Sequence, residues 1–592
     1  EGEFDLSYKT RYTIIESGEA TVQQDIVLKN QTANFYADKF ELKIGSTKVR
    51  DVKASDETGA LDATSTFENN ITTISVKFKQ RVIGQDKVLP WKLSYVSNEL
   101  ATKSGQIWEI SIPRLAKSTD ITDYMVTVSV PRSFGPAAFA LPKPLSQLQA
   151  ANGQEFTYNK DQLLDSGIAM SFGEKQVFSF KLNYYLENKN VTSQNATIAL
   201  PPDNNYQKIV LEKIDPAPLD IDVDADGNFI AKYKLAAKEE KNITATGYVE
   251  VFSKPFRNIY PRLTDAQKSL YTQPQAYWET DSAAIRDKAK EIKDPKNIYD
   301  FVSNYLTYND ARVSQPQIER KGAASAYASP KDAICMEFTD LFIAIARAAG
   351  IPAREVEGYA YTQNERLRPL SLTINQGDIL HAWPEYWDDQ LGWVQIDPTW
   401  ASTSGGLDYF NKLDFNHITF VQRGVSSTKP YPAGSYKPND QLSQKSVFVE
   451  FAKDLPFPTS TPVINLTAKD RIFSGIPLNL SANIKNTGTT SIIGQNLLLS
   501  SSKLAIKSPN PIDIDMLPPF ASKTYNFKVE TAKILKSDSD TLVLSFAQTQ
   551  ISKQIKIEPL YRLVFTQLFI ISITSAVLII SIGLTLYKKV VT

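Results

Sequence analysis

The sequence is poor in the side chains that most often carry chemistry. Its 592 residues include one cysteine, two histidines and four methionines. A single cysteine cannot form a disulfide within the chain, so we expect packing alone to hold the fold together. Lysine plus arginine equals aspartate plus glutamate at 65 each. This balance gives no electrostatic reason to expect a nucleic-acid partner.

The chain also lacks an apolar leader, since it begins EGEFDLSY. We therefore expect that a signal peptide has been removed. Near the other end, about 24 residues from Leu563 to Leu586 carry no charge, enough to cross a hydrocarbon core of ~30 Å. Lys588 and Lys589 follow, and basic residues favour the cytoplasmic side. The sequence predicts a transmembrane helix at 562–588, a cytoplasmic tail at 589–592, and an ectodomain outside a cell membrane that is crossed once.

Alternating apolar and polar residues predict β-domains on both sides of a helical region. Alternation dominates 1–118 and 119–256, which we interpret as β-sandwich regions that form either two domains or one extended domain. Helical spacing appears within an α+β block at 257–426. A proline-rich linker at 427–460 leads to an Ig-like sandwich of roughly seven short strands at 461–557. The predicted fold class is thus multidomain, with an α+β core flanked by all-β sandwich domains and one C-terminal transmembrane helix.

Metal and cofactor motifs are scarce as well. DVDADG, Asp222 to Gly227, matches the first half of a Ca²⁺ loop. The twelfth position of that loop should be a bidentate glutamate, but it is Tyr233 here. Asp-Gly between two alternating segments is also a hairpin turn signal. We favour the turn, and we predict no metal site and no cofactor.

The single cysteine, Cys335, lies in ASPKDAICMEFTDLFIAIARAAGIPAR. Apolar residues in this segment recur with helical spacing, and Gly350 and Pro352 end the helix. The helix begins with either Ser329 or Asp332 as its N-cap. In both cases Cys335 falls within about two turns of the N-terminus, where thiolate is favoured. The alternative is a small buried hydrophobic residue, which is the usual role of a lone cysteine.

The stretch HAWPEYWDDQLGWVQIDP contains one of the two histidines, His381, and ends close to Asp397. If HAWPEYW and GWVQID pair as an antiparallel hairpin, Trp387 faces Trp393 and Glu385 faces Gln395. His381 and Asp397 are then diagonal neighbours on one face, within reach of each other. Such a carboxylate can fix the tautomer of an imidazole and stabilise its cation.

Two other residues complete this interpretation. Pro384, inside the first strand of the hairpin, requires an edge position or a bulge because it cannot donate to a ladder. The second histidine, His417 in DFNHITF, has no evident partner. We predict that it lies in solvent or in the core rather than in a catalytic site.

Together the segments CMEFTDLFIAIARAAGIPAR, GYAY, HAWPEYW and GWVQIDPTW resemble the transglutaminase-like superfamily of papain-related thiol enzymes. The similarity covers about 259–425. It implies Cys335 as the nucleophile, His381 as the general base and acid, Asp397 as the residue that orients the imidazole, and an oxyanion site that uses the Cys335 backbone N–H. The chain departs from many relatives at Ala333, where they have glycine.

The resemblance leads to an expected function. We predict a cell-surface thiol enzyme that forms a Cys335 thioester with a protein or peptide amide. Resolution by water would make it a peptidase or amidase, and resolution by a lysine amine would make it a transamidase. The alternative is a catalytically silent adhesin or scaffold built on the same fold. We also expect attachment to the membrane through the C-terminal helix, and no nucleic-acid partner.

Overall fold

The computed structural model describes residues 3–591 in two compact units. The residues outside this description are 1–2, 46, 70, 114–117, 151, 166, 261, 314, 316–317, 361–377, 379, 404–408, 412, 439–440, 442–443 and 592. The first unit comprises Glu1–Tyr184, Asn204–Lys208 and Thr246–Leu455. The second unit comprises Tyr185–Asp203, Ile209–Ala245 and Pro456–Thr592. Both units are therefore assembled from segments that are distant in sequence.

The N-terminal part of the first unit is β-structure, as the alternation predicts. A short 3₁₀ helix spans Arg132–Phe134 and the helix α1 spans Lys160–Asp165. The strands are β1 Phe4–Ile14, β2 Ala20–Asn30, β3 Tyr36–Gly45, β4 Arg50–Asp56, β5 Gly59–Glu68, β6 Ile71–Ile83, β7 Val88–Ser97, β8 Ala101–Ser104, β9 Ile107–Ile112, β10 Ile121–Pro131, β11 Ala137–Leu141, β12 Ser146–Ala150, β13 Gly153–Tyr158 and β14 Ile168–Phe172.

These strands form two sheets with long-range pairing. A ten-stranded sheet has the order β12-β13-β10-β1-β2-β7-β4-β5-β6-β3, and a four-stranded sheet has the order β11-β14-β9-β8. β1 runs antiparallel to β2 and parallel to β10, with Tyr8 opposite Tyr124. Trp91 is buried in the core, and its ring packs edge-on against Phe40 and Phe78 at 4.9 and 5.5 Å. One sheet thus unites strands from the regions predicted at 1–118 and 119–256.

The next group of strands belongs in part to each unit. β15, β17 and β20 pass through residues of both units. One sheet has the order β17-β20-β15 and a second has the order β16-β19-β18. The strands are β15 Gln176–Glu187, β16 Gln194–Leu200, β17 Gln207–Asp215, β18 Asp220–Val223, β19 Phe229–Leu235 and β20 Glu240–Val251.

An α+β domain occupies the C-terminal part of the first unit. Its four-stranded sheet has the order β23-β22-β21-β24. The helix α7 is buried on all sides over 337–347. Its buried face includes Glu337 and Asp340, whose carboxylates are paired with the Arg312 and Arg320 guanidinium groups. The elements are α2 Asp265–Leu270, α3 Ala283–Glu291, α4 Pro295–Tyr305, α5 Asp310–Val313, α6 Ala323–Ala328, α7 Cys335–Ala348, β21 Ala353–Ala360, β22 His381–Asp388, β23 Gly392–Gln395, α8 Pro398–Thr403 and β24 His417–Arg423. Downstream, β25 (Val447–Phe451) pairs with β15.

The C-terminal part of the second unit consists of two packed sheets. Their orders are β26-β28-β32-β30 and β27-β34-β33-β29-β31. In the described part of the chain, the two sheets thus contain nine strands, some of them very short, where the sequence predicts roughly seven. The strands are β26 Pro462–Thr467, β27 Arg471–Phe473, β28 Leu478–Asn486, β29 Ile492–Ser500, β30 Ala505–Ile506, β31 Ile512–Leu517, β32 Ser522–Glu530, β33 Asp538–Phe546 and β34 Thr549–Glu558. The helix α9, Leu560–Val591, follows them.

The predicted membrane anchor is not supported. A spanning helix needs about 20 consecutive, predominantly apolar residues. Within the described part of the chain, which omits the side chains of 566–570 and 585–591, no helix has the length and apolar character to cross a membrane. The transmembrane helix predicted at 562–588 is therefore wrong. The predicted fold class, in so far as it includes that helix, and the predicted single-pass membrane localisation with a cytoplasmic tail are wrong with it.

We predict that β21 and β24 tolerate no side chain at Gly358. A Cβ atom there would lie 1.9 Å from the Ile418 carbonyl oxygen, so Gly358→Ala must push the strands apart. We expect the free energy of unfolding to fall by about 1–3 kcal/mol, as overpacking does. Gly45→Ala is the matched control, because no atom lies within 4 Å of its added Cβ; it should stay within about 0.5 kcal/mol. Urea unfolding measures both, and equal losses would contradict the prediction.

Candidate active site

The Cys335 helix begins at the cysteine itself. Ile334 is the N-cap of α7, with extended backbone angles, and Cys335 is the first helical residue. The N-cap is thus neither Ser329 nor Asp332, although Cys335 lies in the first turn as expected. The positive end of the helix dipole, which favours anions, therefore lies at the sulfur. Cys335 is partly buried and forms no disulfide.

Glu337 holds the start of α7 in place. Its carboxylate is fully buried and accepts hydrogen bonds from the Ile334 backbone N–H at 3.0 Å and the Lys321 backbone N–H at 2.9 Å. The Arg312 guanidinium donates to both oxygens, at 2.9 and 3.2 Å. The same guanidinium donates to the Asp332 carbonyl at 2.7 Å. A buried ion pair thus fixes the turn that presents the cysteine.

His381 and His417 lie at the same end of the β-sheet. They are the first residues of β22 and β24, and both strands run antiparallel to β21, which lies between them. Gly358 of β21 pairs with His381 on one side and with Thr419 on the other. The two imidazole ring centroids are 5.7 Å apart. Sheet topology, rather than sequence proximity, brings the only two histidines of the chain together.

Asp397 lies between the two histidines. Its Oδ2 is 2.7 Å from His381 Nε2 and 3.0 Å from His417 Nε2. Its Oδ1 accepts the Trp400 backbone N–H at 2.9 Å. The carboxylate is fully buried. Asp397 follows β23 and immediately precedes α8, so it reaches His381 from the end of the predicted hairpin rather than from within a paired strand.

The thiol completes the line of side chains. The Cys335 side chain lies close enough to His381 to contribute to the raised pKa of that imidazole. Because His381 Nε2 is bonded to Asp397, the ring nitrogen that remains for the sulfur is Nδ1. Cys335, His381 and Asp397, the three residues singled out from the sequence, are therefore in contact in the order that nucleophile, base and orienting carboxylate require.

His417 is the residue that sequence reasoning missed. It is buried, as the core alternative predicted, but it has partners: Nε2 bonds to Asp397, and Nδ1 lies 2.8 Å from Asp414 Oδ1. The signal was present in DFNHITF, where Asp414 precedes His417 by three residues and an alternating apolar segment follows. Its contact with Asp397 depends on β21 lying between β22 and β24, and no local pattern reveals that order.

The electrostatics of the cluster follow from burial and opposite charge. Burial opposes protonation of His381, but the Asp397 charge and hydrogen bond outweigh it and raise the pKa of His381 to about 9. Burial likewise opposes protonation of His417, yet the charges and hydrogen bonds of Asp414 and Asp397 raise its pKa to about 9. Burial alone would raise the Asp397 pKa, whereas the two imidazoles hold it well below its usual range.

The hairpin register is as predicted, but the position of Pro384 differs. Trp387 faces Trp393 and Glu385 faces Gln395. β22 is an interior strand, so the expected edge position for Pro384 is wrong. Its carbonyl accepts the Ile396 N–H at 3.1 Å, and the N–H and C=O of a strand residue point to the same side. The missing N–H therefore faces Ile396 as well, so this pair keeps one of its two possible hydrogen bonds, and β23 ends one residue earlier, at Gln395.

A short segment from far upstream supports the strand that leads to Asp397 and the strand that carries His417. The Gln207 side chain bonds both backbone groups of Thr419, at 2.8 and 3.0 Å. The Asn204 side chain bonds the Thr419 hydroxyl at 3.0 Å. The Tyr206 hydroxyl accepts the Gln395 backbone N–H at 3.1 Å. We call Asn204–Lys208 the upstream clamp.

The cluster could also be considered as a metal site. The ligand atoms of His381, Asp397 and His417 all lie within 4.8 Å of one another. In tetrahedral zinc, with bonds of about 2.0–2.2 Å, neighbouring ligand atoms are about 3.3 Å apart. The observed N–O distances of 2.7 and 3.0 Å are shorter than this and match charge-assisted hydrogen bonds. Protons fit between these atoms better than a zinc ion does.

Comparisons with known proteins agree with this geometry in one region of the chain. Residues 280–398 match the model of the Transglutaminase-like superfamily. A protein-glutamine gamma-glutamyltransferase of Pseudomonas aeruginosa is 40% identical over 72 residues, which are 12% of this chain and 10% of that protein. Protein YebA of Bacillus subtilis, described as uncharacterized, is 24% identical over 340 residues, 51% of this chain and 46% of its own length. The matched region thus covers 10% of the length of the Pseudomonas protein and 46% of the length of YebA.

Among solved structures, a putative cysteine protease from Cytophaga hutchinsonii is similar with a TM-score of 0.29 and 16% identity, over 47% of this chain and 99% of that one. The family match contains Cys335, His381 and Asp397 but ends before His417. The chain therefore contains a domain of the transglutaminase-like superfamily, and this part of the predicted resemblance is confirmed.

We predict that Arg312→Ala destabilises the first unit severely. It leaves the Glu337 carboxylate buried without its cation, a defect that costs about 3–5 kcal/mol. Arg286→Ala is the control, since Arg286 is exposed on α3 of the same domain, and it should change stability by less than about 0.5 kcal/mol. Chemical denaturation followed by tryptophan fluorescence measures both. A loss below 1 kcal/mol for Arg312→Ala would contradict the assigned role of the pair.

Proposed function

We propose that this chain is a thiol enzyme in which Cys335 attacks an amide carbonyl of a protein or peptide. One observation carries the proposal. Both histidines of the chain bond one buried aspartate, and the only cysteine lies beside one of them, His381. A scaffold or adhesin has no use for this convergence, whereas covalent acyl transfer requires its first three members.

The first step is nucleophilic attack. A protonated His381 beside the sulfur, together with the positive end of α7, stabilises the thiolate of Cys335. The thiolate adds to the amide carbon, and the carbonyl oxygen becomes an oxyanion. The backbone N–H of Cys335 is the proposed donor to that oxyanion, since the first N–H groups of a helix have no partner within the helix.

The second step breaks the C–N bond. His381 donates its Nδ1 proton to the amide nitrogen, the amine leaves, and the acyl group remains on Cys335 as a thioester. Asp397 holds the imidazole in this orientation through Nε2. Water or a primary amine then attacks the thioester carbon while His381 takes up a proton, the C–S bond breaks, and Cys335 leaves as the thiolate. Water yields a carboxylic acid, and an amine yields a new amide.

Thiol labelling tests the nucleophile. Because Cys335 is the only cysteine, the extent of iodoacetamide alkylation reports this residue alone. We expect rapid alkylation well below pH 8.5, the ordinary thiol pKa, and loss of this low-pH reactivity in His381→Ala. Cys335→Ser is the blank. Labelling that rises only near the ordinary thiol pKa and is unchanged in His381→Ala would favour the catalytically silent scaffold.

The pH dependence of amide turnover tests the pairing of His381 with Asp397. His381 must carry its proton to protonate the leaving amine, and its raised pKa of about 9 keeps it protonated up to that pH. Activity should therefore fall as pH rises through about 9. Asp397→Asn removes the charge that raises the pKa of His381, so the alkaline limb of the pH–activity profile should move to lower pH. Turnover should also drop by about 10²–10⁴-fold. An unmoved limb would contradict the proposed role of Asp397.

Matched amide substrates decide how the thioester is resolved. The Pseudomonas relative is described as a protein-glutamine gamma-glutamyltransferase, so a glutamine peptide is the first substrate to test, alongside a peptide amide. Each is offered with and without a primary amine, and products are identified by mass. Acid product without amine indicates hydrolysis, and conjugate formed only with amine indicates transfer. Turnover that persists in Cys335→Ser would overturn the proposed mechanism.

A further inference from the structure

We propose that His417 is a positioning residue that acts on the thiol chemistry through Asp397. In this role it stays protonated, holds the carboxylate against His381, and uses its own positive charge to limit how firmly His381 keeps its proton. The inference rests on the proposed function, because it assigns a further role at the same site.

With the Asp397 and Asp414 side chains ionised, the hydrogen bonds of His417 specify a cation. His417 Nε2 lies 3.0 Å from Asp397 Oδ2, and Nδ1 lies 2.8 Å from Asp414 Oδ1. An ionised carboxylate only accepts hydrogen bonds, so both ring nitrogens must donate. An imidazole that donates from both nitrogens carries a proton on each and is positively charged. A neutral ring would place one lone pair against a carboxylate oxygen.

The surroundings of His417 favour the same state. Only 2% of the residue is exposed. The groups with charge or a titratable proton that face it are Asp397, Asp414, His381 and the Tyr409 phenol, whose ring centroid is 6.3 Å away. Burial, with the Asp414 charge as a second cause, raises the pKa of Glu109 on β9 to about 7. The nearest partners on both sides of His417 are thus carboxylates. The Trp400 and His417 ring centroids are 4.7 Å apart, so the indole covers the imidazole and keeps water away from it.

The cation changes how Asp397 acts on His381. The Oδ2 atom shares its charge between two donors, and Oδ1 is held by the Trp400 N–H, so the carboxylate is fixed from three directions. The two positive rings also repel each other across 5.7 Å. Without the His417 charge, Asp397 would act on His381 alone. His381 would then keep its proton to a pH about one unit higher.

Nuclear magnetic resonance of the ¹⁵N-histidine-labelled full chain tests the charge state directly, because the chain has only two histidines. We expect both His417 nitrogens to remain protonated from pH 5 to pH 8. Titration of His417 near the ordinary value of about 6.5 would overturn the proposal. The measurement does not depend on catalysis. If Cys335 were unreactive, labelling and turnover would fail, while the His417 signals would still settle its charge.

Variants test the effect on His381. In His417→Gln we expect the alkaline limb of turnover to move up by about one pH unit and the rate to fall, since Asp397 is less fixed. Asp414→Asn is the second variant, in case His417→Gln fails to fold. It removes one anion from His417, which then loses its proton nearer neutral pH, so the limb should move in the same direction.

The matched control is Phe415→Leu, which reduces buried packing two residues from His417 without removing a charge. It should lower thermal stability and leave the limb in place. A purely structural role for His417 predicts the same unmoved limb in His417→Gln and Asp414→Asn. That result, or a shift to lower pH in both variants, would overturn the proposal.

Discussion

The arrangement of the candidate active site depends on one buried carboxylate. Asp397 has no exposed surface, and an ionised carboxylate without partners in the interior costs several kcal/mol. Two imidazoles and a backbone N–H stabilise it. Each donor comes from a different element, namely β22, β24 and α8. Three donors reach one anion because of the order of the sheet, the end of β23 and the start of α8.

From that carboxylate, basic and acidic side chains alternate in both directions. His381 and then the Cys335 sulfur follow on one side, and His417 and then Asp414 follow on the other. Alternation lets ionised groups remain buried, because each has an opposite charge as its nearest neighbour. The buried Arg312–Glu337 pair repeats the principle at the start of the Cys335 helix. The helix end and the charge series meet at the sulfur, where both favour negative charge.

The sequence predicted what depends on local pattern. Alternation revealed the strands, helical spacing revealed α7, and the hairpin register placed Trp387 opposite Trp393. What failed depends on topology. Pro384 was expected at an edge position or a bulge because local pattern does not show that β21 lies beside β22, and no partner was found for His417 for the same reason. The predicted transmembrane helix rested on an uncharged run alone. The predicted limits of the individual domains remain predictions.

The upstream clamp has a consequence for what counts as a domain. Asn204–Lys208 precede the α+β region by some fifty residues of chain, yet they bond the strand that carries His417 and the strand that leads to Asp397. A fragment cut at the limits of the family match, 280–398, would lose the clamp, Asp414 and His417 together. The region that matches the family model is thus smaller than the set of residues that hold the candidate site together, and the two have different boundaries.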